Sequence, residues 1–184
     1  EVLKLIMPAA KPENISKYLN SLNKILPKYD IVGTLREAMF LSQVGHESGQ
    51  FRYNVEGGPN AGQQYEGRVK SLGNTEVGDG KRFKGRGLLQ LTGRANYTDM
   101  TKKIKKLGFN FDLVANPEIA AENYEVSVII ACQYFKDNKI NEEADKGDIL
   151  RASQIVNGGR GFKGVPNGLQ DRQNIYNRAI KHLM

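Results

Sequence analysis

The sequence predicts a mainly α-helical protein with one irregular middle lobe. Three observations carry this. Apolar residues recur at helical spacing in several long segments. Between Gly57 and Gly87 that periodicity fades into glycine, asparagine and charge. A chain of 184 residues suits one domain, 1–184, with the irregular lobe occupying about 50–100.

Pro12–Leu26 reads as a helix because Ile15, Leu19, Leu22 and Leu26 are spaced four, three and four apart, and Pro27 closes it. Thr34 is the expected N-cap of the next helix, with Glu37 three residues on completing a capping box. That helix runs to about Ser48 and stops at Gly49. A stretch of about 30 residues without regular structure inside a compact domain is usually functional or disordered. Leu88–Thr92 follows it as a short strand or extended edge. Glu118–Asn138 is expected as one helix and as the centre of the core, with Ala120, Tyr124, Val128 and Ala131 on one stripe. Asp148–Val156 is a shorter helix ended by Asn157-Gly158-Gly159, and Leu169–Leu183 is the last.

Composition narrows the function classes. Apolar residues make up 39% and charged residues 26%, the balance of an ordinary globular protein. No segment approaches the ~20 apolar residues of a membrane span, so no stable membrane insertion is expected. Glu1–Ala10 lacks a basic start and a full apolar run, so it does not read as a signal peptide. The single cysteine, Cys132, lies in an apolar run and reads as a buried, inert thiol. With two histidines and one cysteine, no Cys/His zinc cluster can form. Nothing in the chain calls for a metal or cofactor. No Ser–His–acid order stands out, and Gly78–Gly87 lacks the G-x-x-x-x-G-K-[ST] pattern of a phosphate loop.

Charge is uneven. Between Arg68 and Lys106 there are eleven basic residues against three acidic ones, a net of +8 in a protein of +7. Such a field concentrates a polyanion near the surface. A nucleic-acid partner is not expected, because only one Gly-Arg-Gly occurs and aromatics are sparse in this block.

Two carboxylates fit acid/base chemistry. Phe40, Val44 and Glu47 are four and three apart, so Glu47 shares the buried stripe of its helix and sits in its last turn. Burial and the negative helix end both disfavour a carboxylate, which suits a general acid. Taken alone, the same placement fits a glutamate that merely pairs with an arginine. Glu56 lies nine residues on, at the start of a Gly-Gly-Pro-Asn loop, where it should be more solvated and ionised. Two carboxyl groups in unlike environments are what glycoside hydrolysis requires. Glu66 is a rival for the second role, and equally an exposed loop residue or a partner for Arg68. In Gly85–Tyr97 (GRGLLQLTGRANY), Gln90 and Thr92 are two apart, so on an extended strand they would share one side. A hydroxyl there could hold an attacking water. The same residues also fit turn chemistry and a satisfied polar core.

These blocks, in order, resemble glycoside hydrolase family 19, which holds plant-type chitinases and many phage and prophage endolysins. The carriers are His46-Glu47-Ser48-Gly49-Gln50-Phe51, Tyr65-Glu66-Gly67-Arg68, Leu72-Gly73-Asn74, Gly78-Asp79-Gly80, the Gly85–Tyr97 block, Val156-Asn157-Gly158-Gly159 and Asp171-Arg172. They run from Ala38 to about Tyr176, and the variant is similar to the compact endolysin branch. The resemblance implies a lysozyme-like fold of two lobes around a cleft. It implies Glu47 as general acid, Glu56 as base and Thr92 as holder of the water, with inversion at the anomeric carbon. Gln90, Asn96, Tyr97, Tyr65, Arg68, Asn157 and Arg172 fall where the family has cleft-lining or charge-network residues. It further implies a muramidase-type endolysin acting on bacterial peptidoglycan, with a chitinase as the alternative. A monomer is expected, made in the host cytoplasm and released to the wall. Departures from the plant-type pattern are the absence of cysteine pairs and a short Glu47–Arg68 loop, which implies few sugar subsites.

Overall fold

A computed structural model of the chain describes residues 1–184. It is built from eleven helices: α1 Val2–Ile6, α2 Pro12–Ile25, α3 Thr34–Glu47, α4 Val69–Leu72, α5 Asp79–Arg82, α6 Arg94–Lys106, α7 Ile119–Glu122, α8 Tyr124–Asp137, α9 Ile140–Asp145, α10 Ile149–Gly158 and α11 Leu169–Leu183. No helix is long and apolar enough to cross a membrane.

Two helices share the centre. Every residue of α3 from Ala38 to Gly45 is buried, and so is every residue of α8 from Val126 to Gln133. Buried all round over these spans, with only Ser42, Gln43, Ser127 and Gln133 polar, such helices belong inside a core. α11 packs along α3, and their approach is close at Gly45. A Cβ there would stand 3.0 Å from Met7 Cε and 3.2 Å from Ile175 Cδ1. Met7 follows α1, whose Ile6 carbonyl accepts from Arg178 Nε at 2.8 Å. The N-terminal segment is therefore part of the helical core. α2 joins it through Tyr18, which stacks on Phe51 at 4.6 Å and meets Tyr124 edge-on at 4.9 Å.

Several elements depart from the sequence expectation. In α2 the buried stripe is Ile15, Tyr18, Leu22 and Ile25, while Leu19 is 40% exposed. As expected, α2 closes just before Pro27, at Ile25, but Pro27 does not leave the helical path at once. It lies in a 3-10 turn, Leu26–Tyr29, that ends on Asp30 with φ 55°. Thr34 is the first residue of α3 rather than its cap. Its hydroxyl donates to the Leu183 carbonyl at 3.1 Å, while Glu37 reaches back to the Gly33 N–H at 3.2 Å. Half of the capping box thus forms, one residue early. The helix expected over Glu118–Asn138 is split. Asn123 breaks it and caps α8, accepting from the N–H groups of Glu125 and Val126 at 3.1 and 3.2 Å.

Leu88–Thr92 is a turn rather than a strand. Arg86 and Leu91 exchange backbone hydrogen bonds at 3.1 and 2.8 Å, and Arg86 also bridges to Val55. Gly87 at φ 80° and Gln90 at φ 55° curl the residues between. Leu88 is thereby driven inward, where its N–H donates to the buried Ser127 hydroxyl of α8 at 3.1 Å.

The small lobe around this turn is held chiefly by polar contacts. Arg94 grips Asp79 with two bonds of 2.7 and 2.6 Å and reaches Glu76 at 2.7 Å. Asn74 accepts the Arg94 N–H at 2.9 Å and donates to the Tyr65 carbonyl at 2.9 Å. The Arg94 guanidinium holds the Asp79 carboxyl below the usual carboxylate range. Its contribution is therefore complete above the unfolded-chain value of about 4 and is lost as pH falls through the lower folded value. Asp79→Asn is expected to cost about 1–3 kcal/mol near neutral pH. In denaturant melts across pH, the gap from wild type should close on acidification; a constant gap would refute this account.

Cys132 is buried, and burial pushes its thiol pKa up, as expected for an inert core residue.

Candidate active site

Glu47 ends α3 and retains 27% side-chain exposure. Its partner is Arg172 of α11, 1% exposed, which donates through Nη2 to Glu47 Oε1. Arg172 also donates to Gln43 Oε1 at 2.6 Å and to the Asn167 carbonyl at 3.1 Å. Gln43 lies one helical turn before Glu47, and its amide donates to the hydroxyls of Ser42 and Ser153, each at 3.2 Å. The guanidinium is thus fixed on three sides, and Glu47 is fixed through it. Arginine suits this role because its planar fork serves several acceptors at once. Tyr134 also senses the carboxylate. Burial pushes its phenol pKa up and the Glu47 charge adds to the shift.

Beside Glu47, His46 Nδ1 meets Asp171 Oδ2 at 2.7 Å. The imidazole occupies the space where residue 168 would place a Cβ, and Gly168 has φ 66°. Only glycine fits there, so the start of α11 can close onto α3 and bring Arg172 to Glu47.

Glu56 is half-buried on the bridged segment of the small lobe. One oxygen accepts from the Gln64 amide, and the other from the Gly85 N–H at 3.2 Å. Its own N–H donates to the Gly85 carbonyl at 2.9 Å. It has no ion-pair partner, so its two oxygens meet only neutral donors. Gly85 is the hub of this corner. A Cβ on it would lie 2.7 Å from Gln90 Oε1 and 3.3 Å from Thr92 Oγ1. Gln90 and Thr92 do share one side, but through the turn and not through strand alternation. The Thr92 hydroxyl donates to the Gln90 carbonyl at 2.8 Å, which leaves its lone pairs to accept from a water. Gln90 is anchored by its amide on the Gly87 carbonyl at 3.0 Å.

Glu66 has a different task. Its oxygens accept the N–H groups of Gly78 and Gly80 at 2.7 and 2.8 Å, which clasps the start of α5. It does not pair with Arg68, whose guanidinium lies 5.7 Å from the centre of the Tyr65 ring. Glu56→Gln is therefore expected to lower turnover about 10²–10⁴-fold with unfolding little changed. Glu66→Gln should cost about 1–2 kcal/mol of stability and keep most of the turnover. Kinetics and thermal melts on both variants check this, and the reverse pattern would exchange their roles.

The remaining sequence candidates divide. Tyr97 is not on a surface. It is fully buried, its hydroxyl donates to the Lys84 carbonyl at 2.8 Å and accepts from Arg86 at 3.2 Å, and burial raises its pKa to about 12. It packs on Phe83 and cannot stack on a sugar. Arg172 is likewise too buried to touch a ligand and acts within the charge network. Asn96 is exposed, with its amide on the Thr92 carbonyl at 2.8 Å. Asn157 is half-buried and accepts the Asn167 N–H at 3.0 Å. Tyr65 is half-buried and Arg68 exposed. Gln43, Gln64, Gly85 and the His46–Asp171 pair did not emerge from sequence reasoning as site residues. Their partners lie up to 129 positions away, and local spacing carries no trace of them.

No family profile matches the chain. In sequence it is 27% identical over 197 residues to a glycosyl hydrolase family 19 domain-containing protein of Haemophilus influenzae, a match spanning 92% of this chain and 90% of that protein. Its structure is similar to chitinase C from Streptomyces griseus, with a TM-score of 0.76 at 19% identity over 99% of this chain and 74% of that one. The chain has the family 19 glycoside hydrolase fold. A family 19, class IV chitinase from Zea mays gives a TM-score of 0.65 at 19% identity, covering 98% of this chain and 90% of that one. A bacterial family 19 chitinase gives 0.63 at 20%, covering 99% and 92%. In this family 19 fold, α3 supplies Glu47 and the small lobe supplies Glu56.

Proposed function

We propose that the chain is an inverting glycoside hydrolase of muramidase type, with Glu47 as acid and Glu56 as base. The observation that carries this is the placement of the two carboxyl groups, Glu47 in the last turn of α3, where the negative helix end disfavours a carboxylate, and Glu56 at the corner that also holds the Thr92 hydroxyl. Glu47 faces a buried guanidinium, while Glu56 rests on neutral donors beside the Thr92 hydroxyl. Glu47 gives its proton to the glycosidic oxygen as the bond to the anomeric carbon breaks. Arg172 then stabilises the carboxylate left behind. A water held by Thr92 passes a proton to Glu56 and its oxygen attacks the opposite face of the sugar, which inverts the centre. The steps balance with these residues alone.

The surface supports an anionic substrate. Arg68, Lys70, Lys81, Lys84, Lys102 and Lys106 have no carboxylate within ion-pair distance, and all but Lys84 are exposed. Peptidoglycan, with its peptide and lactyl carboxylates, suits this field; chitin is uncharged. A phage endolysin that reaches the wall from the host cytoplasm is the setting this reading favours. The names of the structural relatives favour a second reading, a chitinase acting on β-1,4-linked N-acetylglucosamine.

Mass spectrometry of products from purified sacculi and from chitin oligomers separates the two. Soluble muropeptides with new reducing N-acetylmuramic acid ends are expected. Intact sacculi beside cleaved chitin oligomers would replace the muramidase reading with the chitinase one.

A further inference from the structure

A shallow groove lies beside Glu56, on the face of the bridged segment that carries Val55. It consists of two adjoining concavities of about 390 and 430 Å³ that share Glu122 and Tyr124. The first begins at Val55 and Lys84, the immediate neighbours of Glu56 and of its hydrogen-bond partner Gly85. The second ends at Lys17, whose ammonium lies 5.4 Å from the centre of the Tyr124 ring.

Half of the six charges along the groove are cancelled within the protein. Arg86 faces Glu118 at 3.8 Å, and Glu125 binds Lys24 at 2.8 Å. Three are left without an ion-pair partner: Lys84 near the base, Glu122 in the shared middle and Lys17 at the far end. Their order is positive, negative, positive. A complementary ligand presents a carboxylate, then an ammonium, then a carboxylate. An uncharged glycan has none of these groups.

We infer that this groove is a binding site for a short peptide bearing two carboxylates with an amine between them, of the kind attached to peptidoglycan glycan strands. The site rests on the peptidoglycan reading above and deepens it. It holds the peptide while the sugar that bears it is placed at Glu56, and so it selects cross-linkable wall material over bare β-1,4 glycan. Single exposed ion pairs contribute little, so three together are expected to give about tenfold in kcat/KM.

The test compares peptide-bearing glycan strands with strands stripped of peptide by an amidase. Wild type is expected to cleave the peptide-bearing strands with kcat/KM about tenfold higher. Lys17→Glu and Glu122→Lys, both at exposed positions, should remove that preference and leave the rate on stripped strands unchanged. Equal rates of wild type on both substrates, or variants that slow both equally, overturn the proposal. A parallel NMR titration uses a synthetic tetrapeptide with two free carboxylates and one free amine. Shifts centred on Lys17, Lys84 and Glu122 support the site, and their absence overturns it. If no form hydrolyses either strand, the glycosidase reading fails by itself, and the titration still decides the groove.

Discussion

Replacing Glu47 with glutamine is expected to lower kcat by about 10²–10⁴-fold, the usual contribution of a positioned general acid. Glutamine keeps the length of the side chain and an oxygen for Arg172. It has no proton to give to the leaving oxygen. The fold should survive, because Arg172 remains anchored on Gln43 and the Asn167 carbonyl. The loss should fall on kcat with KM nearly constant, since the missing interaction belongs to the transition state. A variant that retained more than about a tenth of wild-type turnover would remove Glu47 from the role of acid.

Arg172→Ala should be the most damaging change in stability. It deletes a side chain that is 1% exposed and strands the Gln43 oxygen and the Asn167 carbonyl, while Glu47 loses its counter-charge. Breaking a buried ion pair from one side typically costs about 3–5 kcal/mol. Arg172→Lys restores the charge but not the fork, because an ammonium on a flexible stem cannot serve three fixed acceptors in one plane. Its stability should lie between alanine and wild type. Its turnover should fall at least about tenfold, because Glu47 is then held less firmly. Urea unfolding and steady-state kinetics on the three proteins check the order. Wild-type stability in Arg172→Ala would show that the network is dispensable.

The helical scaffold was legible in the sequence because its signals are local. The ranges of α2, α10 and α11 follow from apolar spacing and from the glycines and prolines at their ends. The failures have local causes too. Asn123 offers a side-chain acceptor exactly where a helix can restart, so one apolar stripe became two helices. Thr34 found a distant carbonyl, Leu183, and left the cap to a glycine. Glu47 could be singled out because burial and helix position are both written into spacing. The arginine that faces it lies 125 residues away, and no periodicity announces such a pairing. Tyr97 misled for a related reason. A phenol in a sugar-binding motif and a phenol satisfied by a buried carbonyl look alike until the fold places Lys84 beside it.

The small lobe carries Glu56 and yet buries only two apolar side chains between residues 54 and 93, Phe83 and Leu88. Its integrity rests instead on Arg94, Asp79, Asn74 and the Glu66 clasp. A region stitched by hydrogen bonds and poor in apolar contact opens at lower free energy than the core it adjoins. The two carboxyl groups of the proposed acid/base pair therefore sit on parts of unequal apolar packing. Glu47 rides on one of the two central helices, while Glu56 rides on the lobe with little apolar packing. On the proposed hydrolysis, opening of the lobe would part the two carboxyl groups before the core unfolds, so backbone amides of 54–93 should exchange with solvent faster than those of α3 and α8.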